Sequence, residues 1–451
     1  WQVSLRINIP KVDLNNNRVL YILIGGIVIL VIIALVFVLG GFGGTRSGQR
    51  VELSFWGVFD SEEDFRQVIQ NYQDVNNRIT INYKLIPYEE YESTLINALA
   101  AGTGPDIVML HNNWFQKHKD KLKFAPSVLP DEEEPFFTLK DYQDQFVEVA
   151  AKDLIENKNI YGFPLYVDTL ALFYNKDMLN SAGFTRPPKT WDEFNNYVET
   201  LTKFNIVGNI TKSGAAFGTA KNINRSSDIL MALMIQSGVQ MTDSENSKAT
   251  FAESVSGERV GERSLEYYTS FANPKSRAYT WNNTLSYSID AFIEGNAAMM
   301  INYSHQIGIV RAKATRLNFG VAPMPQLNLD DVRNHADYWA VAVSNKSKND
   351  IEAWKFIKYL TSKTGSIDYL NATLRPAARQ DVIALQKNDV DLGLFALQAL
   401  TARSWYQIDE KAIEGIFADM IEDVNLNRQS VRDALKNAES RVNVLMIKAQ
   451  Q

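Results

Sequence analysis

The segment Val19–Phe42, VLYILIGGIVILVIIALVFVLGGF, contains no charged residue, and no other feature constrains the chain as strongly. At the rise of an α-helix it spans roughly 36 Å, enough to cross the hydrocarbon core of a bilayer. A buried core helix is one rival reading, but such helices rarely run this long without a polar residue. A cleaved signal peptide is the other; it has a shorter apolar core and a small-residue cleavage site. Here GGFGGTRSGQR follows instead, and the sequence predicts an uncleaved signal anchor. Arg6, Lys11 and Arg18 precede the span, and Arg46 and Arg50 follow it. That slight bias favours an N-terminus inside the cell. The expected order is a cytoplasmic tail over 1–18, a transmembrane anchor over 19–42 and a flexible Gly-rich linker over 43–50, with the large C-terminal part extracytoplasmic. The chain opens on Trp1 rather than Met and is read as beginning inside a longer reading frame.

With 451 residues, 45% of them apolar and 22% charged, the remainder is globular and too long for one ordinary core. A net charge of −6 argues against a nucleic-acid partner. The lack of cysteine removes disulfides, thiolate metal ligands, cysteine nucleophiles and a lipid-modified Cys within these residues. The 8 Trp and 19 Tyr supply rings for cores, and equally for clefts that hold sugars or peptides.

From Val51 onward the pattern alternates. VELSFW reads as a strand, and Asp60 as the cap of a helix with Glu63 at the capping-box position. Phe65, Val68, Ile69 and Tyr72 mark that helix's apolar face. Ile79, Ile81, Tyr83 and Leu85 alternate as in a strand. Tyr88–Ala101 is the next helix, closed by Gly102, and Asp106–Leu110 the next strand. Short links between such elements mean a parallel or mixed sheet covered by helices. Further strands are expected at 170–175, 297–303 and 338–344, an apolar helix at 227–236, an amphipathic one at 349–361, and two closing helices at 410–424 and 429–448. In open α/β sheets ligands bind beyond the carboxyl ends of strands. The cluster His111, Asn112, Asn113, Trp114 sits at such an end.

Catalytic motifs are missing. His111, His118, His305 and His335 are scattered without metal-ligand spacing. No phosphate-cradling glycine loop and no nucleophile elbow occurs. A carboxylate pair that meets only in space stays open, and with it a carbohydrate-active enzyme as an alternative. The expectation is a non-enzyme without cofactor or metal.

Seven stretches in order, AAGTGPDIVML, YGFPLYVDTLALFYNKDML, PPKTWDEF, AFIEGNAAMMINY, NFGVAPMP, DYWAVAVSNKSKNDIEAWKFIKYLTS and LRPAARQDV, resemble the family-1 extracellular solute-binding proteins of ABC importers, the maltose-binding-protein-like sugar receptors. The resemblance covers nearly all of the chain after Val51. It implies a two-lobe α/β fold of the periplasmic-binding-protein type (type II), closing on its ligand like a hinge, a motion known for that class. The implied lobes are 51–166 and 339–376 for lobe I, and 167–338 and 377–451 for lobe II. Crossings are expected near Tyr166–Asp168, near Asp337–Trp339 and between Pro376 and Leu400. The implied partners are a sugar or oligosaccharide, the permease subunits of an ABC transporter, and the membrane through the N-terminal helix. A sensory or scaffold receptor of the same fold is the second alternative.

A sugar site needs flat rings against a pyranose face and short polar groups for its hydroxyls. Trp56, at the end of the first strand, is divided between cleft and core. Asp60 and Asn113 match hydroxyl-binding positions of the family, with helix capping and turn formation as their other readings. Trp114 either shields the cleft edge or packs beneath it. Asp168 matches a ligand-binding carboxylate, and its apolar flanks require that it be hydrated or bonded. Trp281 lies in a polar loop. Tyr303 and His305 leave a strand, and His305 matches a stacking position. Trp339 opens a strand at a crossing and is the foremost aromatic candidate. Arg375 can reach a hydroxyl, an acidic sugar or a surface partner.

Overall fold

The computed structural model describes residues 50–130 and 133–449. The expected tail, anchor and all but the last residue of the linker lie outside the described residues. Among the described residues no helix is long and apolar enough to cross a membrane.

The first sheet contains β1 (Val51–Gly57), β2 (Ile79–Leu85), β3 (Ile107–His111), β4 (Leu122–Lys123) and β5 (Phe163–Pro164), together with a strand from late in the chain. Three short strands build the second and third sheets with their neighbours: β6 (Asp168–Thr169), β7 (Ala171–Asn175) and β8 (Met299–Asn302). Then follow β9 (Phe319–Pro323), β10 (Asn334–Asp337), β11 (Trp339–Ser344) and β12 (Ala402–Arg403). The first sheet has the order β2-β1-β3-β11-β4, with β5 also on β11. β1 and β3 run parallel, Phe55 opposite Ile107, whereas β11 is antiparallel to β3 with Trp339 opposite His111. β3 and β11 are buried along their whole length, as strands covered on both faces must be.

The helix Glu62–Val75 buries the face expected of it, Phe65, Val68, Ile69 and Tyr72. Its start differs from the expectation. Ser61, not Asp60, is the N-cap, and Asp64 rather than Glu63 closes the capping box, accepting from the Ser61 N–H at 2.6 Å and its hydroxyl at 2.8 Å. Asp60 is thereby released for another role. The helix Tyr88–Ala101 ends as expected at Gly102, whose φ of 73° is the left-handed cap glycine accepts without a Cβ clash. The strand expected over 106–110 sits one residue later, with Asp106 bonded to β1 at its entry: its carboxylate accepts the Ser54 N–H and its own N–H donates to Ser54 O, both at 2.9 Å.

The second sheet, β8-β7-β9, is antiparallel throughout. Against it lies a large core that includes Phe173, Trp191, Phe217, Tyr268 and Phe292. The helix Ser226–Gln236 is buried on nearly every side from Ile229 to Ile235, which its unbroken apolar run demands. The closing helices Glu410–Asn425 and Val431–Ala449 contribute Ile413, Phe417, Met420, Leu435 and Val442 to the same core.

A small third sheet, β12-β10-β6, joins the two. Asp337 of β10 stands opposite Asp168 of β6, and one residue later the chain enters β11 of the first sheet. The Leu165 N–H donates to Trp339 O at 3.0 Å, and the Val167 N–H to Pro376 O at 3.3 Å. The three expected crossing segments therefore lie side by side. One boundary moves. Residues 377–386, read with lobe II, pack on the first-sheet side: the Val147 N–H donates to Ala378 O (3.1 Å) and Arg379 Nη1 to Thr361 O (3.0 Å). Helix Gly393–Ala399 packs instead against β6, β9 and β10.

Candidate functional site

Beyond the end of β1 the chain makes a three-residue turn, closed by the Asp60 N–H on Val58 O at 2.8 Å. Phe59 at its centre has φ of 66°, a costly conformation for a bulky residue. The turn sends the two side chains opposite ways. Phe59 is 54% exposed and stacks on Tyr88 with ring centroids 5.2 Å apart. Asp60 is 4% exposed and points inward. The Tyr83 hydroxyl donates to Asp60 O at 2.6 Å and steadies the turn. Gly57 makes that possible, since a Cβ there would lie 2.3 Å from the Tyr83 oxygen. Gly57→Ala is expected to cost about 1–3 kcal/mol of stability through this overlap. A denaturation midpoint unchanged from the parent would show that the turn tolerates the displaced tyrosine.

The aromatic group is built from three strand ends and one helix start. Trp339 meets Trp114 edge-on at 5.1 Å, Phe59 at 5.8 Å and His111 at 5.2 Å. Trp339 and Trp114 are buried, while Phe59 faces solvent and Tyr88 is half-buried. The foremost sequence candidate thus forms the floor of the site, and Phe59 and Tyr88, which motif reasoning passed over, form its surface. Phe59 had no visible signal except its place at a strand end.

A group of polar side chains lies near enough for its charges to act on Tyr88. The Arg225 guanidinium lies over the Tyr303 ring at 5.2 Å, and its nearest carboxylate, Asp228, is 3.9 Å away. Arg225 Nε is buried without a hydrogen-bond partner. The Tyr303 hydroxyl donates to Asp228 Oδ2 (2.9 Å) and also lies 3.2 Å from His335 Nδ1. His305 and Glu414 keep part of their surface open, while surrounding protein still crowds their titrating atoms. Desolvation and the Arg225 charge lower the His305 pKa to about 4, so the ring is neutral. Burial raises the pKa of Glu414, and Asp228 reinforces the shift.

Beside Trp339, His111 Nε2 pairs with Asp337 Oδ1 at 2.5 Å, and Nδ1 lies 3.2 Å from Glu410 Oε2. Burial opposes a charge on His111, but the Glu410 and Asp337 carboxylates together raise its pKa to about 10. The Trp114 indole N–H donates to the same Glu410 oxygen at 2.8 Å. Lys117 Nζ reaches Asp409 and Glu92, both at 2.8 Å. These contacts tie the segment after β3 to the start of the helix Glu410–Asn425.

The remaining sequence candidates are placed as follows. Asp60 and Arg375, read as hydroxyl contacts, are engaged with each other: Arg375 Nη2 lies 2.5 Å from Asp60 Oδ1, Tyr369 donates to Oδ2 at 2.7 Å, and the guanidinium covers the Tyr166 ring at 4.4 Å. Asp168 accepts from the Ser304 N–H (3.0 Å), the Ser304 hydroxyl (2.7 Å) and the Thr169 N–H (2.8 Å). Burial outweighs these bonds and raises its pKa to about 7. Trp56 is half-buried on β1 under Lys84 Nζ at 4.9 Å, apart from the aromatic group. Trp281, which its polar loop had made suggestive, is 1% exposed in the second core with its N–H on Asn222 at 3.1 Å. The apolar residues flanking that loop draw the ring inward, and none of its hydrogen-bond contacts reaches the aromatic group.

Asn113 is buried beside Asn112, which donates to it at 3.1 Å. Both line a separate polar hollow of ≈ 750 Å³ that also touches Asp153, Arg403, Trp405 and Tyr406. Asp153 accepts from Tyr338 (2.8 Å), Asn112 (3.4 Å) and Ser404. Burial nevertheless raises its pKa to about 6. A raised carboxyl keeps its proton longer in the folded chain, so its contribution to stability falls as pH climbs from about 4 to 6. Asp153→Asn is expected to remove that slope, gaining about 1–2 kcal/mol on the parent at pH 7.5 relative to pH 4 once solvent screening is allowed for. Urea titrations at both pH values check this; an equal difference at the two would sink it.

A family profile described as "Bacterial extracellular solute-binding protein" matches residues 67–392. A binding protein of Brucella abortus (strain 2308) is 21% identical over 396 residues, covering 85% of this chain and 90% of its own length. The maltotriose-binding protein of Pyrococcus abyssi is 25% identical over 316 residues, 68% of this chain and 61% of that one. Among solved structures, the sugar-binding protein of Xanthomonas citri superposes with a TM-score of 0.73 at 19% identity, covering 89% of this chain and 98% of the other, so the fold is shared. With a family match across most of the folded part, the chain belongs to the bacterial extracellular solute-binding proteins.

Proposed function

We propose that the chain captures a sugar or oligosaccharide for an ABC importer by closing two lobes, 51–166 with 339–386 and 167–338 with 393–449. The observation that carries this is a ring surface, Phe59 stacked on half-buried Tyr88, near enough to Arg225 and Glu414 for their charges to act on Tyr88, with Arg225 Nε lacking a hydrogen-bond partner. Rings cover the apolar face of a pyranose, and the guanidinium and carboxylate serve neighbouring hydroxyls. The sugars named for relatives in Pyrococcus and Xanthomonas support the same chemistry. The family binds rather than catalyses, and it works outside the cytoplasm. The uncharged segment 19–42 serves in this reading as the membrane anchor. Trp339, Trp114, Asp168 and the Asp60–Arg375 pair support the site from beneath.

A glycan panel read by melting-temperature shift tests the reading, because a ligand of the folded state stabilises it by mass action. Phe59→Gly is the informative variant. It relieves the positive φ, so stability is expected to hold or rise, while the lost ring weakens the stabilising glycan about tenfold. The 750 Å³ hollow at Asn113 is the competing seat. If Tyr406→Ala abolishes the shift and Phe59→Gly leaves it intact, the solute lies there. A panel in which only peptides or polyamines shift the transition would replace sugar with another solute.

A further inference from the structure

We propose that the ≈ 750 Å³ hollow beside Asn113 is a second binding site, for an uncharged polyhydroxylated molecule such as a short neutral sugar. Its volume falls within the roughly 300–1,000 Å³ of small-molecule pockets. Phe59, Tyr88, Trp339 and Arg225 are not among its lining residues. It borders β12, one outer strand of the third sheet, whereas Asp168 stands on the other, β6. Its lining comes from both proposed lobes: Asn113 and Gln116 from the segment after β3, Tyr406 and Gln407 from the segment after β12.

The class of ligand follows from which polar groups are already spent. Arg403 and Lys152 share Glu148, at 3.2 and 2.6 Å. Arg333 Nη2 and Nε fork onto Asp331 at 2.6 and 3.2 Å. Asp243 accepts the Ser247 and Lys248 N–H groups at 2.7 and 3.3 Å, and Asp153 is bonded to Tyr338, Asn112 and Ser404. Every charge on the lining thus has a partner, and what remains is amides and a phenol. Asn113 and Gln407 are 8% and 4% exposed. Asn113 spends its side-chain oxygen on Asn112. Among the described residues, its Nδ2, the Gln116 and Gln407 side-chain amides and the Tyr406 hydroxyl have no hydrogen-bond partner. Polar groups this buried are nearly always bonded, so those on a cavity wall are matched by what fills it. Amides donate and accept, as the hydroxyls of a sugar do. Trp405 and Tyr406 add rings to the lining for its apolar face. Bonded to Gln116 of one lobe and Tyr406 of the other, the occupant bridges the two. Filling the hollow does not depend on the ring surface being the solute's seat; the bridge rests on the two-lobe reading above.

The chain has no cysteine, so Ser244→Cys, at an exposed position on the lining, gives the full chain a single site for an environment-sensitive dye. Glucose, maltose and maltotriose are titrated to about 10 mM, which nearly saturates a Kd of about 1 mM. At least one is expected to change the emission saturably, with glucosamine and glucuronate at least about tenfold weaker, since their charges find no free partner. Gln116→Ala and Tyr406→Phe, both at half-buried positions, are each expected to weaken the response about five- to tenfold through one lost hydrogen bond. Phe59→Gly is expected to leave it unchanged. A dye silent to all three neutral sugars would mean that water alone fills the hollow and would overturn the site, whatever the glycan panel shows. A response lost in Phe59→Gly and kept in Tyr406→Phe would mean that the dye reads events at the ring surface, which also overturns it. Equal response to the charged sugars would overturn the ligand class, and an effect of only one of Gln116→Ala and Tyr406→Phe the bridge. If the dye responds and Phe59→Gly also leaves the melting shift of the glycan panel intact, the ring-surface reading fails and the hollow stands.

Discussion

Asp60→Asn is expected to lower the unfolding free energy by about 3–5 kcal/mol, the cost of leaving one member of a buried ion pair without its partner. Asp60 and Arg375 keep only 5% and 16% of their side-chain surface. The substitution removes the charge facing Arg375 and weakens the acceptor of the Tyr369 hydroxyl, 2.7 Å away. The pair also fixes the turn that displays Phe59, since Asp60 is its last residue. Arg375→Gln is expected to cost a similar amount, part of it from lost packing on Tyr166. The double variant should lose clearly less than the sum, because neither charge is then stranded. Urea denaturation of the three variants measures this cycle. A loss below about 1 kcal/mol for Asp60→Asn would mean that water, not Arg375, solvates the carboxylate.

Trp339→Ala is the second large effect. The ring is 4% exposed and touches Phe59, Tyr88, Tyr91, His111 and Trp114. Its removal opens a void between β3 and β11 beneath the ring surface, with an expected cost of about 3–5 kcal/mol. Trp339→Phe fills most of that volume and should cost less than half as much. The two variants separate support from contact. If Trp339 is a floor residue, Trp339→Phe keeps nearly all of the solute-induced melting shift. Complete loss of the shift with retained stability would place the indole in direct contact with the solute.

Much of the architecture was legible in the chain. The alternation of strand and helix from Val51, the buried face Phe65–Val68–Ile69–Tyr72 and the cap at Gly102 follow from local periodicity and turn chemistry, which act over a few residues. Resemblance across seven stretches led to the family. The polar loop around Trp281 misled, because a loop's polarity says nothing about where one large ring inside it is drawn. Asp60 misled for a related reason. A local capping signal one residue off left open which distant cation the freed carboxylate would meet.

By itself, then, the sequence determined the family, the order of elements, the uncharged span and the strand ends at which a site had to lie. Only the tertiary structure decided how the polar groups are shared out. It gave Asp60 to Arg375, Asp168 to Ser304, and His111 to Asp337 and Glu410, and it left Arg225 Nε without a hydrogen-bond partner and Glu414 exposed. His111 and Asp337 are 226 residues apart. Hydrophobic period and turn propensity are written in neighbouring residues, but the pairing of buried charges is set by desolvation and distance, which exist only once β3 and β11 lie side by side.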